Sequence, residues 1–141
     1  MVMTACNHNT LYSSYLSVDN DGWTRQDTLV FTTDPMEHAG NYIEEVGLRI
    51  NSTFPFTALT LIVEQQASPS DLSRIDTLYV ILTDKEGTVQ GDGISLYQYS
   101  QPLPPMKLLK GDTLTVAIRH DMLRQQLKGI TDIGFTLRKA P

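Results

Sequence analysis

Three histidines, one cysteine and two adjacent glutamates are the residues whose types could do chemistry in this 141-residue sequence. His8 sits in a polar stretch, His38 between strand-like segments and His120 at the end of one. Metal sites draw on histidine, cysteine and carboxylate ligands at short, recurring spacings, and none of the three has a second histidine or cysteine so placed. They read as ordinary surface or strand-end histidines. The sequence also holds no Gly-x-Ser-x-Gly elbow, phosphate-cradling loop or dinucleotide fingerprint. No cofactor, metal or catalytic residue is expected.

The carboxylates need a separate argument, because β-sandwich glycosidases work with two of them. Glu44 and Glu45 are neighbours, so on a strand they point to opposite faces and cannot act together. Glu44 shares the face of Tyr42 and Val46, which leaves it at the strand's solvent end or buried with a partner. A hydrolase would need a second acid brought within about 5–9 Å from another strand. Asp19-Asn20-Asp21-Gly22 has the oxygen density of a calcium loop, but Trp23, Thr24 and Arg25 follow where further oxygens and a closing glutamate belong. A tight turn accounts for it better. Trp23, the only tryptophan, suits a core anchor or a lid at one end of a sandwich. Tyr97 and Tyr99 share one strand face; such rows stack sugar rings or anchor protein interfaces, and they also occur as inward-facing core residues.

The elements that must position these residues are strands. Thr28-Leu29-Val30-Phe31-Thr32-Thr33 is β-branched and aromatic, and Asp34-Pro35 ends it. Residues 42–51 alternate, with Tyr42, Val46, Leu48 and Ile50 opposed to Glu45, Gly47 and Arg49. Residues 56–66, 75–83, 94–99, 113–120 and 133–138 continue the pattern, punctuated by Asp84-Lys85-Glu86-Gly87, Gly91-Asp92-Gly93 and Lys110-Gly111-Asp112. Pro102, Pro104 and Pro105 forbid a central strand where they stand. One short helix is allowed over 121–128, with Asp121 to cap it and Gly129 to end it. The expected fold is all-β: an antiparallel, jelly-roll-like sandwich of about eight strands, one domain over 11–141 after a leading segment 1–10.

The net charge is −5, from eleven basic and sixteen acidic residues, with no basic run to follow a nucleic-acid backbone. Nucleic acid is not an expected partner. Cys6 rules out an internal disulfide, being the only cysteine. Met3-Thr4-Ala5-Cys6 is similar to the box that ends a bacterial lipoprotein signal: an apolar residue, two small ones and the lipid-accepting cysteine. The charged and apolar stretches of a full signal do not precede it here, so the start is expected to be assigned late or trimmed. Asn7-His8-Asn9-Thr10 then serves as a polar spacer. Acyl chains on Cys6 would hold the domain at a bilayer, each buried methylene contributing about 0.8 kcal/mol.

Several segments together resemble one family. They are Asp21-Gly22-Trp23 after the cysteine, Phe54-Pro55-Phe56 leading into Leu59-Thr60-Leu61-Ile62-Val63, then Asp76-Thr77-Leu78 and Gly91-Asp92-Gly93. The ending Leu127-Lys128-Gly129-Ile130-Thr131-Asp132-Ile133-Gly134-Phe135 completes the set. In order and spacing they resemble the gliding-motility lipoprotein GldH family of Bacteroidetes over nearly the whole chain. The resemblance implies a cell-envelope lipoprotein without enzymatic activity, acting with other envelope lipoproteins and the gliding or secretion machinery, and held to the membrane by its N-terminal lipid. It departs from the family at the incomplete signal and at Thr88-Val89-Gln90, where a tryptophan is expected before the Gly-x-Gly segment. Surface-exported lipoproteins of these bacteria tend to carry acids just after the cysteine, and Asn7-His8-Asn9-Thr10 has none, so the domain is expected to face the periplasm. The alternative reading is a carbohydrate-binding module using Trp23, Tyr97 and Tyr99.

Overall fold

Alternating apolar side chains can bury one face of a strand only against a second sheet, and the chain answers with two. The computed structural model describes residues 10–19, 21–82, 87–90 and 94–141. Cys6 and the spacer up to Asn9 lie outside them, as do the punctuating residues 84–86 and 91–93. The strands are β1 (Thr10–Ser17), β2 (Trp23–Thr24), β3 (Leu29–Thr32), β4 (Gly40–Asn51), β5 (Ala58–Ser68) and β6 (Leu72–Ile81). They continue with β7 (Gly87–Gln90), β8 (Ile94–Leu108), β9 (Thr113–His120), β10 (Gln126–Leu127) and β11 (Ile130–Lys139). One sheet has the order β1-β11-β4-β8-β7, the facing sheet β3-β9-β5-β6, and β10 pairs with β2 at one end. All pairings are antiparallel.

The core lies between the two sheets. Val46, Leu48 and Ile50 of β4 and Ile133, Phe135 and Leu137 of β11 meet Leu59, Leu61 and Val63 of β5 and Leu114, Val116 and Ile118 of β9, all buried. The expected face of β4 is therefore the inner one. The prolines also behave as expected. Among the described residues β7 pairs with β8 only over Ile94–Tyr97, so Pro102, Pro104 and Pro105 stand where β8 has β4 on one side alone. Pro104 and Pro105 fall in the register shift opposite the step from Tyr42 to Glu44, where a missing N–H leaves no ladder bond unmade.

Several elements depart from the sequence reading. The short strands β2, β7 and β10 and the extension of β8 to Leu108 lie outside it, and two further departures bear on the site. No helix forms over 121–128. Isolated eight-residue helices are marginal, and here tertiary partners take the backbone: Arg25 N–H donates to the Gln125 carbonyl (2.9 Å) and Leu127 pairs with Trp23. The strand β1 lies outside the alternating pattern, because its serines interrupt the apolar spacing. It docks through Tyr12 and Leu16 on the inner side and Tyr15 on the outer. Gly134 lies opposite both Tyr15 and Gly47. The Tyr15 ring lies across these two glycines, so close that a Cβ on Gly47 would sit 2.3 Å from its hydroxyl oxygen and one on Gly134 2.6 Å from its ring. The Arg49 guanidinium covers the other side, 3.8 Å from the ring centre.

Candidate functional site

The most densely bonded polar cluster joins the two sheets along one side. Glu44, on the inner face of β4, is fully buried. Its Oε1 accepts hydrogen bonds from Nε2 of Gln65 on β5 (2.8 Å) and from Nη2 of Arg74 on β6 (3.1 Å). Arg74 spends its remaining donors on Asp76 Oδ2 (2.7 Å) and on the Pro104 and Pro105 carbonyls (2.9 Å each). The carbonyls at the β8 irregularity thus find the one side chain whose planar fork can satisfy several acceptors at once. Among the described residues, Glu44 Oε2 and Gln65 Oε1 have no hydrogen-bond partner. Burial pushes the Glu44 carboxyl up to about 7, Asp76 adding to the rise and the Gln65 and Arg74 contacts opposing it. Of the two placements open to Glu44, burial with a partner is the one observed. Asp76 lies across from it, but Arg74 stands as a bridge to both acids. Shallow depressions beside Arg74 are walled by Gln65 and Ile75 on one side and by Leu72 and Met106 on the other, and Glu44 lines neither.

At the end of the sandwich where β2 meets β10, Trp23 is 1% exposed and its Nε1 donates to the Asp27 carbonyl (2.7 Å). Its ring meets His120 edge-on, 5.3 Å between centroids. His120 Nε2 faces the carbonyls of Trp23 (3.0 Å) and Gln125 (3.1 Å), and Nδ1 accepts the Met122 N–H (3.3 Å). Only a neutral ring with its proton on Nε2 satisfies all three. Burial holds the pKa of His120 below its ordinary value, aided by Arg25, although both carbonyl contacts and Asp121 act against it. Asp19-Asn20-Asp21-Gly22 is a tight turn in its described residues: Gly22 N–H donates to the Asp19 carbonyl and Asp21 N–H to Asp19 Oδ1. Among the described residues no three His, Cys, Asp or Glu side chains gather closely enough to hold a metal ion.

Tyr97 and Tyr99 stand opposite Ile50 and Leu48 and are half-buried against the core, with Tyr99 Oη donating to the Leu82 carbonyl (3.2 Å). Trp23, Tyr97 and Tyr99 are therefore packed into the domain rather than set as a row on an outer face. The exposed row lies elsewhere. Ile75, Tyr79 and Ile81 on the outer face of β6 are 68%, 62% and 52% exposed. β6 is an edge strand, paired only with β5 among the described residues, and from Thr77 onward it carries no charge. Sequence reasoning placed this strand but not its edge position, which depends on which strands pair.

The family model of the GldH lipoprotein matches residues 10–137, from the first residue of β1 to near the end of β11. The chain belongs to the GldH lipoprotein family. It is also 25% identical to the gliding motility lipoprotein GldH of Flavobacterium johnsoniae over 99% of this chain and 91% of that protein. The match spans strands of both sheets. Among solved structures, a cellulose-specific carbohydrate-binding module of family 28 is similar at 9% identity and a TM-score of 0.46, covering 92% of this chain and 73% of that one. The Eiger tumour-necrosis-factor protein of S. frugiperda is similar at 10% identity and 0.40, covering 95% and 94%. Likeness at this level speaks to neither ligand nor activity. Membership of the GldH lipoprotein family supports a lipid-anchored protein of the cell envelope.

Proposed function

We propose that this chain is a non-catalytic component of the gliding-motility apparatus, lipid-anchored at Cys6 and facing the periplasm, that works by binding other envelope proteins through β6. The observation that carries this reading is the exposed row of Ile75, Tyr79 and Ile81 on an edge strand that pairs only with β5 among the described residues. Proteins ordinarily guard such edges with lysine, proline or a bulge, because unpaired N–H and C=O groups recruit another chain. In β6 the two charges are Arg74 and Asp76, and they bond each other. The segment 77–81 is left with backbone groups for an added strand and apolar side chains to fix its register. Ile62 on β5 and Ala117 and Val30 across β9 and β3 extend the same outer face. The sugar-binding alternative rested on Trp23, Tyr97 and Tyr99, whose observed environment is core packing.

A photo-cross-linking residue at position 79, introduced in cells, tests the reading. The expected result is a cross-link to another envelope lipoprotein or to gliding or secretion machinery, lost when Ile75→Asp and Ile81→Asp are added. Both positions are exposed, so the double variant keeps its fold, checked by circular dichroism. An equal yield from position 13, exposed on β1 at the edge of the other sheet, or no loss in the double variant, refutes binding through β6. Protease added to intact cells tests orientation, and removal of the domain would refute the periplasmic placement.

A further inference from the structure

The spacing between Cys6 and the first residue of the fold is short. An extended chain spans at most about 3.5 Å per residue, so Thr10 lies within roughly 14 Å of Cys6. The twelve residues of β4 make the sandwich about 40 Å long. A lipid on Cys6 therefore brings one particular end of the domain to the bilayer, the end at which Thr10 pairs with Arg138.

That end collects the β5–β6 turn, the β8–β9 loop and the start of β4. Asp112 ties it together: its carboxylate accepts the Ser70 N–H (3.1 Å), the Ser70 hydroxyl (2.8 Å) and the Leu109 N–H (2.9 Å). One flank of it is a shallow apolar groove walled by Leu72, Met106 and Leu109, with Lys107 at its side and Lys110 next along the loop. Leu72 and Leu109 are 40% and 47% exposed, and Lys107 and Lys110 are exposed beside them. Two acids stand beside these cations. Asp112 is buried in its own bonds, and Asp71 accepts from Gln66 (2.9 Å). Asp34 and Glu37 lie on the other flank, around Leu11, and Lys139 lies over Tyr42 between them. A chain of net charge −5 thus presents a local pair of lysines around exposed leucines at the end its tether reaches.

We propose that this end of the sandwich rests on the bilayer, with Leu72 and Leu109 entering the headgroup layer and Lys107 and Lys110 meeting anionic lipid phosphates. The proposal rests on the lipid-anchored reading of Cys6. Apolar side chains flanked by lysines are the chemistry by which a domain lies against an anionic surface. The consequence is an upright domain, with its long axis away from the membrane and β6 presented along its side.

The test couples Cys6 of the unlipidated full chain to maleimide-headgroup lipid in vesicles of phosphatidylethanolamine and phosphatidylglycerol. Lysine acylation is then read by mass spectrometry, with and without vesicles. Lys107 and Lys110 are expected to react roughly fivefold more slowly on vesicles, as side chains held at a surface do. Lys128, at the opposite end, is expected to keep its rate. Equal rates at all three lysines overturn the contact, and so does protection of Lys128 alone. Protection that persists unchanged when phosphatidylcholine replaces phosphatidylglycerol overturns the phosphate assignment. The intact mass of protein purified from cell envelopes is read separately. An unmodified Cys6 there removes the lipid anchor, whereas fully reactive Lys107 and Lys110 on coupled vesicles remove only the contact.

Discussion

Glu44 holds a proton at a pH where an exposed glutamate would not, and that has a measurable sign. Its pKa rises from an ordinary 4.5 to about 7 because burial penalises the charged form. A raised carboxyl pKa means that the folded state binds the proton more tightly than the unfolded chain does. The stabilisation is complete below pH 4.5 and is lost as pH rises to 7, in total about 3 kcal/mol at 1.36 kcal/mol per unit. Glu44→Gln keeps the shape and removes the titration. Urea unfolding at pH 5 and pH 8 should show the native protein losing about 3 kcal/mol relative to Glu44→Gln across that interval. A constant difference between the two would mean that Arg74 neutralises Glu44 throughout. The inward aim of Glu44 was legible in the sequence, since it shares the face of Tyr42 and Val46. Its partners were not, because Gln65 and Arg74 reach it from strands of the other sheet, and the stacking of two sheets leaves no periodic trace along a chain.

The strands show the same division. Those with unbroken alternation, such as β9 (Thr113–His120), were read at their observed limits. β1 was missed because its outer face is serine and tyrosine, and its support comes from glycines far along the chain. Gly47 and Gly134 read as positions on the outer faces of their strands, and there they form the floor under the Tyr15 ring. Gly47→Ala should displace that ring and cost about 1–3 kcal/mol, as overpacking does. Thermal unfolding gives the size, and faster amide exchange confined first to β1 identifies the cause. An exchange increase spread evenly over both sheets would show that β1 is not held by this ring. The segment 121–128 erred the other way. Its cap and stop residues are real helix signals, and they yield to the hydrogen bonds offered by Trp23, Arg25 and His120.

At the scale of the whole molecule, alternation predicted a single sandwich, and the two sheets deliver it. Strand order was out of reach, since a pattern says which face is apolar but not which strand lies alongside. The order matters because it puts β1 and β6 in different sheets and brings residue 10 and residue 139 to the same end. That arrangement decides how the domain answers a pull. Tension between residue 10 and residue 79 runs along β1, across hydrogen bonds that lie perpendicular to it, so its seven paired positions resist together in shear. Tension between residues 10 and 139 opens the same pairs from one end, one after another. Single-molecule extension should therefore need the higher force in the first geometry, the one in which a membrane holds the first strand and a partner hauls on β6.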